Sequence, residues 1–270
     1  GDVYKRQSPA RGGQRTRRSG NPEYSSAGEP ARPRWPQPPL HPPVVPAPAD
    51  RPDLAPLIDH ALLDPHRGEE AVRRCCDEAR HFGFAAVCVA SRWVPLARER
   101  LPQHDSVRLA SVVGFPFGAI PPAVKLAEAE AAAAAGADEL DVVPDFGALA
   151  DQQANTVLAD LAAITALGLP VKVILETGRL DPEALALLVD VSIDAGARWL
   201  KTGSGFGPAV TPAEVSHLRS LARGRAGIKA SGGIASLEQA FALVEAGATR
   251  LGTSRGVALM QALRQPPTAS

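Results

Sequence analysis

Five of the chain's 29 basic residues are lysine, Lys5, Lys125, Lys172, Lys201 and Lys229, and the rest are arginine. In a chain that otherwise uses arginine for positive charge, a lysine marks a place where a guanidinium would not serve. Lys201 in Leu200-Lys201-Thr202 and Lys229 in Ile228-Lys229-Ala230 each close a short apolar run and precede a glycine-rich turn. An amine can lose its proton and attack a carbonyl; a guanidinium with a pKa above ~12 cannot. The two lysines are one βα repeat apart, which puts them on adjacent strands ~4.8 Å apart at similar height. Two ammonium groups held that close, and partly buried, should drive at least one pKa down from ~10.4, leaving a neutral amine. That is the requirement for Schiff-base chemistry. Lysines that merely solvate a loop or hold phosphate are the weaker reading, because any of the arginines could do that.

Two carboxylates strengthen the pattern. In the run Gly136 to Val143, Glu139 and Asp141 share one strand face while Leu140 and Val142 take the other. Both acids then point into a core where unpaired charge costs several kcal/mol. Lys172, Lys201 and Lys229 are the cations expected to meet them, with Glu139 and Lys172 read as a structural ion pair. The turns Gly203-Ser204-Gly205-Phe206-Gly207, Ser231-Gly232-Gly233 and Gly252-Thr253-Ser254 expose backbone amides suited to an anion. Their spacing fails GxGxxG, and no acid follows at the ribose distance, so a dinucleotide is not indicated. Lysines and glycine turns together point to a phosphorylated carbonyl substrate. Cys88, a lone thiol on an apolar strand, reads as core.

These residues need a scaffold, and from Asp53 onward the chain supplies a repeating one. Short β-branched or Leu-rich runs alternate with amphipathic Ala/Leu/Glu helices. Helix starts are marked at Asp181-Pro182, at Thr211-Pro212 with Glu214 completing a capping box, and at Ser236 with Gln239. Ala-Gly-Ala ends helices at 135–137, 195–197 and 246–248. Eight strands are expected: 57–62, 85–89, 109–113, 139–143, 171–175, 199–202, 227–231 and 250–254. That predicts a single-domain (β/α)8 TIM barrel over residues 53–265, with chemistry at the C-terminal ends of its strands. Residues 1–52, rich in arginine and proline, read as a disordered or non-native leader rather than a transit signal, and 266–270 as a flexible tail.

Composition narrows the function further. Acidic and basic residues balance at 29 each, which gives no bias toward nucleic acid. No apolar run reaches the ~20 residues of a membrane span. Cys75, Cys76 and Cys88 form neither a disulfide framework nor a metal-binding CxxC, so no metal is expected and a reducing cytoplasm is favoured.

The residues so far also carry a family resemblance. From Leu57 to Met260 the chain resembles deoxyribose-phosphate aldolase. The matching segments are Ile58-Asp59-His60, Val87-Cys88-Val89, Val113-Gly114-Phe115-Pro116 with Gly118, Lys125 with Glu128, Gly136 to Asp141, Lys172-Val173-Ile174 with Glu176-Thr177, Lys201-Thr202 with Gly205-Phe206-Gly207, Lys229 to Gly233, and Gly252-Thr253-Ser254. The resemblance implies reversible cleavage of 2-deoxy-D-ribose 5-phosphate to D-glyceraldehyde 3-phosphate and acetaldehyde through a lysine imine, without cofactor. By position it assigns the imine to Lys201, suppression of that amine's proton to Lys229, a water-assisted proton relay to Asp141, and orientation of Lys229 to Asp59 at the end of the first strand. Cys88 would line the pocket. Thr202, Ser204, Gly205, Ser231, Gly232, Gly233, Gly252, Thr253 and Ser254 would surround substrate and phosphate. A homodimer is the family-level expectation.

Departures fall at Ala61, Ala90-Ser91, Gly203-Ser204, Ala235 and Arg255. They touch hydroxyl and phosphate recognition, and Arg255 is a candidate to replace the charge that Ala235 lacks. Two other readings stay open: an imine-forming barrel aldolase for a different phosphorylated sugar, and a phosphosugar-binding barrel without catalysis.

Overall fold

The computed structural model describes residues 52–103 and 105–264. The expected leader, apart from Pro52, and the expected tail lie outside them. Eight strands form: β1 Ile58–Leu62, β2 Ala86–Ala90, β3 Arg108–Val113, β4 Glu139–Val142, β5 Val171–Ile174, β6 Trp199–Lys201, β7 Gly227–Ser231 and β8 Arg250–Thr253. All neighbours are parallel, and β8 pairs with β1 to close the barrel in sequence order. Nine α-helices are assigned among the described residues: α1 Glu69–Phe82, α2 Val94–Arg100, α3 Pro122–Ala134, α4 Phe146–Ala150, α5 Ala154–Thr165, α6 Pro182–Asp194, α7 Pro212–Ala222, α8 Leu237–Glu245 and α9 Gly256–Arg264.

The helix signals act as their chemistry predicts. Asp181 accepts from the Ala184 amide at 2.8 Å and Ser236 from the Gln239 amide at 3.3 Å, satisfying first-turn donors. Thr211 and Glu214 complete a reciprocal capping box ahead of α7. After α3, α6 and α8 the chain turns through Gly136, Gly196 and Gly247 with φ of 100°, 93° and 114°, the left-handed region that ends a helix cheaply only at glycine.

Alternation along each strand divides the core in two. Outward side chains such as Leu140, Val142, Val173, Leu200 and Leu251 pack with Leu161, Leu188, Leu218 and Leu243 of the helices. Inside the barrel, β2 and β3 contribute a small apolar cluster of Cys88, Ala110 and Val112. Asp59, Glu139, Asp141, Lys172, Lys201, Lys229 and Arg250 also face inward. Among the described residues, no helix is long and apolar enough to cross a membrane.

Candidate active site

Registers bring the charged residues to neighbouring levels: Asp141 lies opposite Lys172, Lys201 opposite Lys229, and Lys229 opposite Arg250. Lys201 and Lys229 thus occupy adjacent strands at one height, as their spacing predicts. Asp141 sits between them. Its Oδ2 accepts from Lys201 Nζ at 2.8 Å and Lys229 Nζ at 2.7 Å, and its Oδ1 accepts from Lys172 Nζ at 2.9 Å. Gly252 on β8 makes room for this crowding, because a Cβ there would stand 2.8 Å from Ser231 Cβ and 3.0 Å from Lys229 Cε.

Beneath this triad the ion pairs continue. Lys172 reaches Glu139 at 2.6 Å and Asp59 at 3.5 Å, and Lys229 reaches Asp59 at 2.5 Å. Arg250 pairs with Asp59 at 2.6 Å and with Glu139 at 3.2 Å. The Trp199 ring lies below, its centroid 5.9 Å from Lys172 Nζ and 5.3 Å from Arg250 Cζ. Asp59, expected at the end of the first strand, is instead the second residue of β1 and sits deep in the barrel. The expected strand began at Leu57, which the structure places in a 3-10 turn over Ala55–Leu57.

Electrostatics follow from the pairing. Burial opposes ionisation of Asp141, but Lys172, Lys201 and Lys229 outweigh it and hold the carboxyl well below the usual range. Asp59 is likewise lowered, its burial overcome by Lys229, Lys172 and Arg250. Burial works against charge on Lys229 as well, yet Asp141 and Asp59 together raise its pKa above the ordinary lysine value. Lys229 therefore meets not only a neighbouring ammonium but also two carboxylates, which support its charge. Cys88 Sγ is 3.8 Å from Asp141 Oδ2, and burial pushes its thiol up to about 11, so it is a neutral thiol wall.

A cavity of about 920 Å³ opens above the cluster at the C-terminal ends of the strands. Its walls include Lys201, Lys229 and Cys88, the expected turn residues Ser204, Gly205, Ser231, Gly232, Gly233, Gly252, Thr253 and Ser254, and the departures Ala61, Ala235 and Arg255. Asp59 and Asp141 lie below it as fully buried groups. Thr202 does not line it. Its hydroxyl donates to the Ser231 carbonyl at 2.8 Å and accepts from the Ser231 amide at 2.9 Å, clasping the ends of β6 and β7. Thr253 is also committed, donating to the Ile234 carbonyl at 2.9 Å and accepting from the Arg255 amide at 2.9 Å.

Three participants have no role assigned by the sequence alone. Arg250 was legible in principle, since alternation puts it on the same face as Gly252. Glu176, in a left-handed conformation with φ 51°, accepts the Ser204 amide and so fixes the turn after β6. His60 lines the cavity and meets Glu78 at 2.9 Å, a pairing between β1 and α1 that no local pattern announces.

A parallel eight-stranded ring with lysine amines lining a cavity at the strands' C-terminal ends places the chain among the (β/α)8-barrel enzymes. No family model matches it. It is 49% identical over 210 residues to a deoxyribose-phosphate aldolase of Thermosynechococcus vestitus, covering 77% of this chain and 96% of the relative. Identity to the enzyme of that name from a Cyanothece species is 47% over 216 residues, covering 80% and 94%. The solved deoxyribose phosphate aldolase of Aeropyrum pernix, described as tetrameric, superposes with a TM-score of 0.71 at 38% identity, covering 81% and 93%. The chain belongs to the deoxyribose-phosphate aldolase family, and is therefore a lyase of the aldolase type.

Proposed function

We propose that the chain cleaves 2-deoxy-D-ribose 5-phosphate to D-glyceraldehyde 3-phosphate and acetaldehyde, reversibly, with Lys201 as the imine-forming amine. One observation carries the assignment: the inward lysines differ in how many carboxylates compensate them. Lys172 contacts Asp59, Glu139 and Asp141; Lys229 contacts Asp59 and Asp141; Lys201 contacts Asp141 alone. Lys201 is thus the cavity-facing amine whose charge the carboxylates support least.

In this reading the free amine of Lys201 adds to the C1 aldehyde of the open-chain sugar, and loss of water leaves a protonated imine. A base removes the C3 hydroxyl proton, the C2–C3 bond breaks, and its electron pair flows into the imine to give an enamine. Glyceraldehyde phosphate leaves. Protonation at C2 and hydrolysis then return acetaldehyde and the amine. Asp141, held ionised against both Lys201 and Lys229, is placed to exchange protons through a water, and Asp59 orients Lys229. The imine serves as the electron sink, so the reaction as proposed calls for neither metal nor cofactor. The phosphate rests against the turns after β7 and β8, with Arg255 supplying positive charge beside Ala235.

The proposed catalytic domain is the barrel of residues 53–265, acting in the cytoplasm on a small phosphorylated sugar rather than on nucleic acid or a membrane. All three cysteines are free, which supports a reducing compartment. Self-association as a homodimer is part of this reading, and light scattering decides it.

Borohydride reduction in the presence of acetaldehyde, followed by peptide mapping, tests the assignment. The expected adduct is on Lys201, and Lys201→Arg should lose both adduct and turnover while keeping its circular dichroism spectrum. An adduct on Lys229, or none, refutes it. Turnover of a fructose phosphate in place of deoxyribose phosphate would favour a different aldolase, and binding without turnover an inactive barrel.

A further inference from the structure

Glu139 and Arg250 are buried or nearly so, yet neither lines the cavity nor has a place in the proposed chemistry. Their importance emerges from the charges that face the barrel interior. Asp59 comes from β1, Glu139 and Asp141 from β4, Lys172 from β5, Lys201 from β6, Lys229 from β7 and Arg250 from β8. From β2 comes the neutral Cys88 thiol, and from β3 the apolar Ala110 and Val112. At the mouth, His60 is paired with Glu78 and Asp64 with Arg67; Arg74 and Arg255 are exposed and screened by solvent, and Glu176 is held by the Ser204 amide.

Within the interior, three carboxylates thus meet four bases. Fully ionised, the cluster carries one excess positive charge, and buried excess charge is costly. The guanidinium cannot shed a proton. Among the lysines, Lys201 has the fewest carboxylate contacts, so its charge is the least supported.

We propose that Arg250 and Glu139 are positioning residues that set the pH range in which the imine-forming amine is free, by fixing the net charge of the buried cluster. Arg250 acts through Asp59, whose other oxygen holds Lys229. Glu139 acts through Lys172, which contacts the other oxygen of Asp141. The proposal deepens the functional reading above and rests on it for the identity of the amine.

Three variants test it: Arg250→Met, Glu139→Gln, and the two combined. The measurements are the pH dependence of borohydride-trapped acetaldehyde adduct and of kcat/KM for deoxyribose phosphate. Arg250→Met balances three acids against three bases, and its acidic limb should move alkaline by roughly one pH unit, as expected for one charge ~10 Å away at an effective dielectric near 20. Glu139→Gln raises the excess and should move the limb acid by a similar amount. The double variant restores an excess of one and should return the limb close to the parent position. A packing role alone would lower activity without these opposed shifts. Folded single variants whose limbs stay put, or shift the same way, overturn the proposal. Should Arg250→Met yield little folded protein, an unmoved limb in Glu139→Gln overturns it alone. An adduct that remains on Lys201 with an immovable limb sinks this proposal only, whereas loss of the Lys201 adduct in the parent protein sinks the functional reading beneath it.

Discussion

At the scale of single residues, the site is built on unequal compensation of like groups. Lys172 and Lys229 are held charged by the carboxylates around them, whereas Lys201 shares one oxygen of Asp141. Recognition of the phosphate belongs to the same scale. Arg255 lines the cavity beside Ala235, and hydroxyls that the sequence suggested as ligands, those of Thr202 and Thr253, are spent on neighbouring carbonyls and amides. Arg255→Ala should therefore raise KM for deoxyribose phosphate about tenfold, the effect of one charge-assisted contact, with kcat little changed. An unaltered KM in steady-state kinetics would show that the phosphate is gripped by backbone amides alone.

Elements hold these residues at working distance, and the tie between α3 and α5 is the sharpest example. Lys125 and Asp160 form an ion pair at 2.5 Å with both side chains buried. Nearby, Glu128 accepts the Gly114 amide at 2.8 Å and the Ser91 hydroxyl at 2.7 Å, so the departure at Ser91 still anchors the turn after β3. Asp160→Asn leaves the Lys125 ammonium buried and uncompensated, and should cost about 3–5 kcal/mol of unfolding free energy in urea titrations. Much of this scale was legible beforehand. Strand positions followed from short β-branched runs, and helix ends from Asp181, Thr211, Ser236 and the Ala-Gly-Ala stops, because those signals are local. Lysine pairing across β6 and β7 followed from alternation and repeat length. What stayed hidden depends on side chains distant in the chain: Arg250 against Asp59 and Glu139, and Glu176 against the Ser204 amide. No window of sequence contains those meetings.

For the molecule as a whole, the charge network makes stability depend on pH at both extremes. Asp59 and Asp141 have folded-state pKa values below their unfolded values, so as pH falls the unfolded chain takes up protons first. Their contribution is complete above about pH 4 and is lost as acid protonates the folded carboxyls. Lys172 and Lys229 are shifted upward, so their contribution is complete below about pH 10 and is lost as pH rises through their folded values. Urea midpoints measured from pH 3 to 11 should show a plateau between these limits, and Asp59→Asn should flatten the acidic fall. A decline beginning near neutrality would mean that other groups govern stability.

Closure of the ring carries a temporal meaning. The bond from Arg250 to Asp59 joins positions 191 residues apart, and β8 must dock on β1 before that bond exists. A ribosome has to release nearly the entire barrel before the charged surroundings of Lys201 are complete. Truncated or half-made chains therefore lack the assembled charge cluster, which exists only once the last strand has met the first.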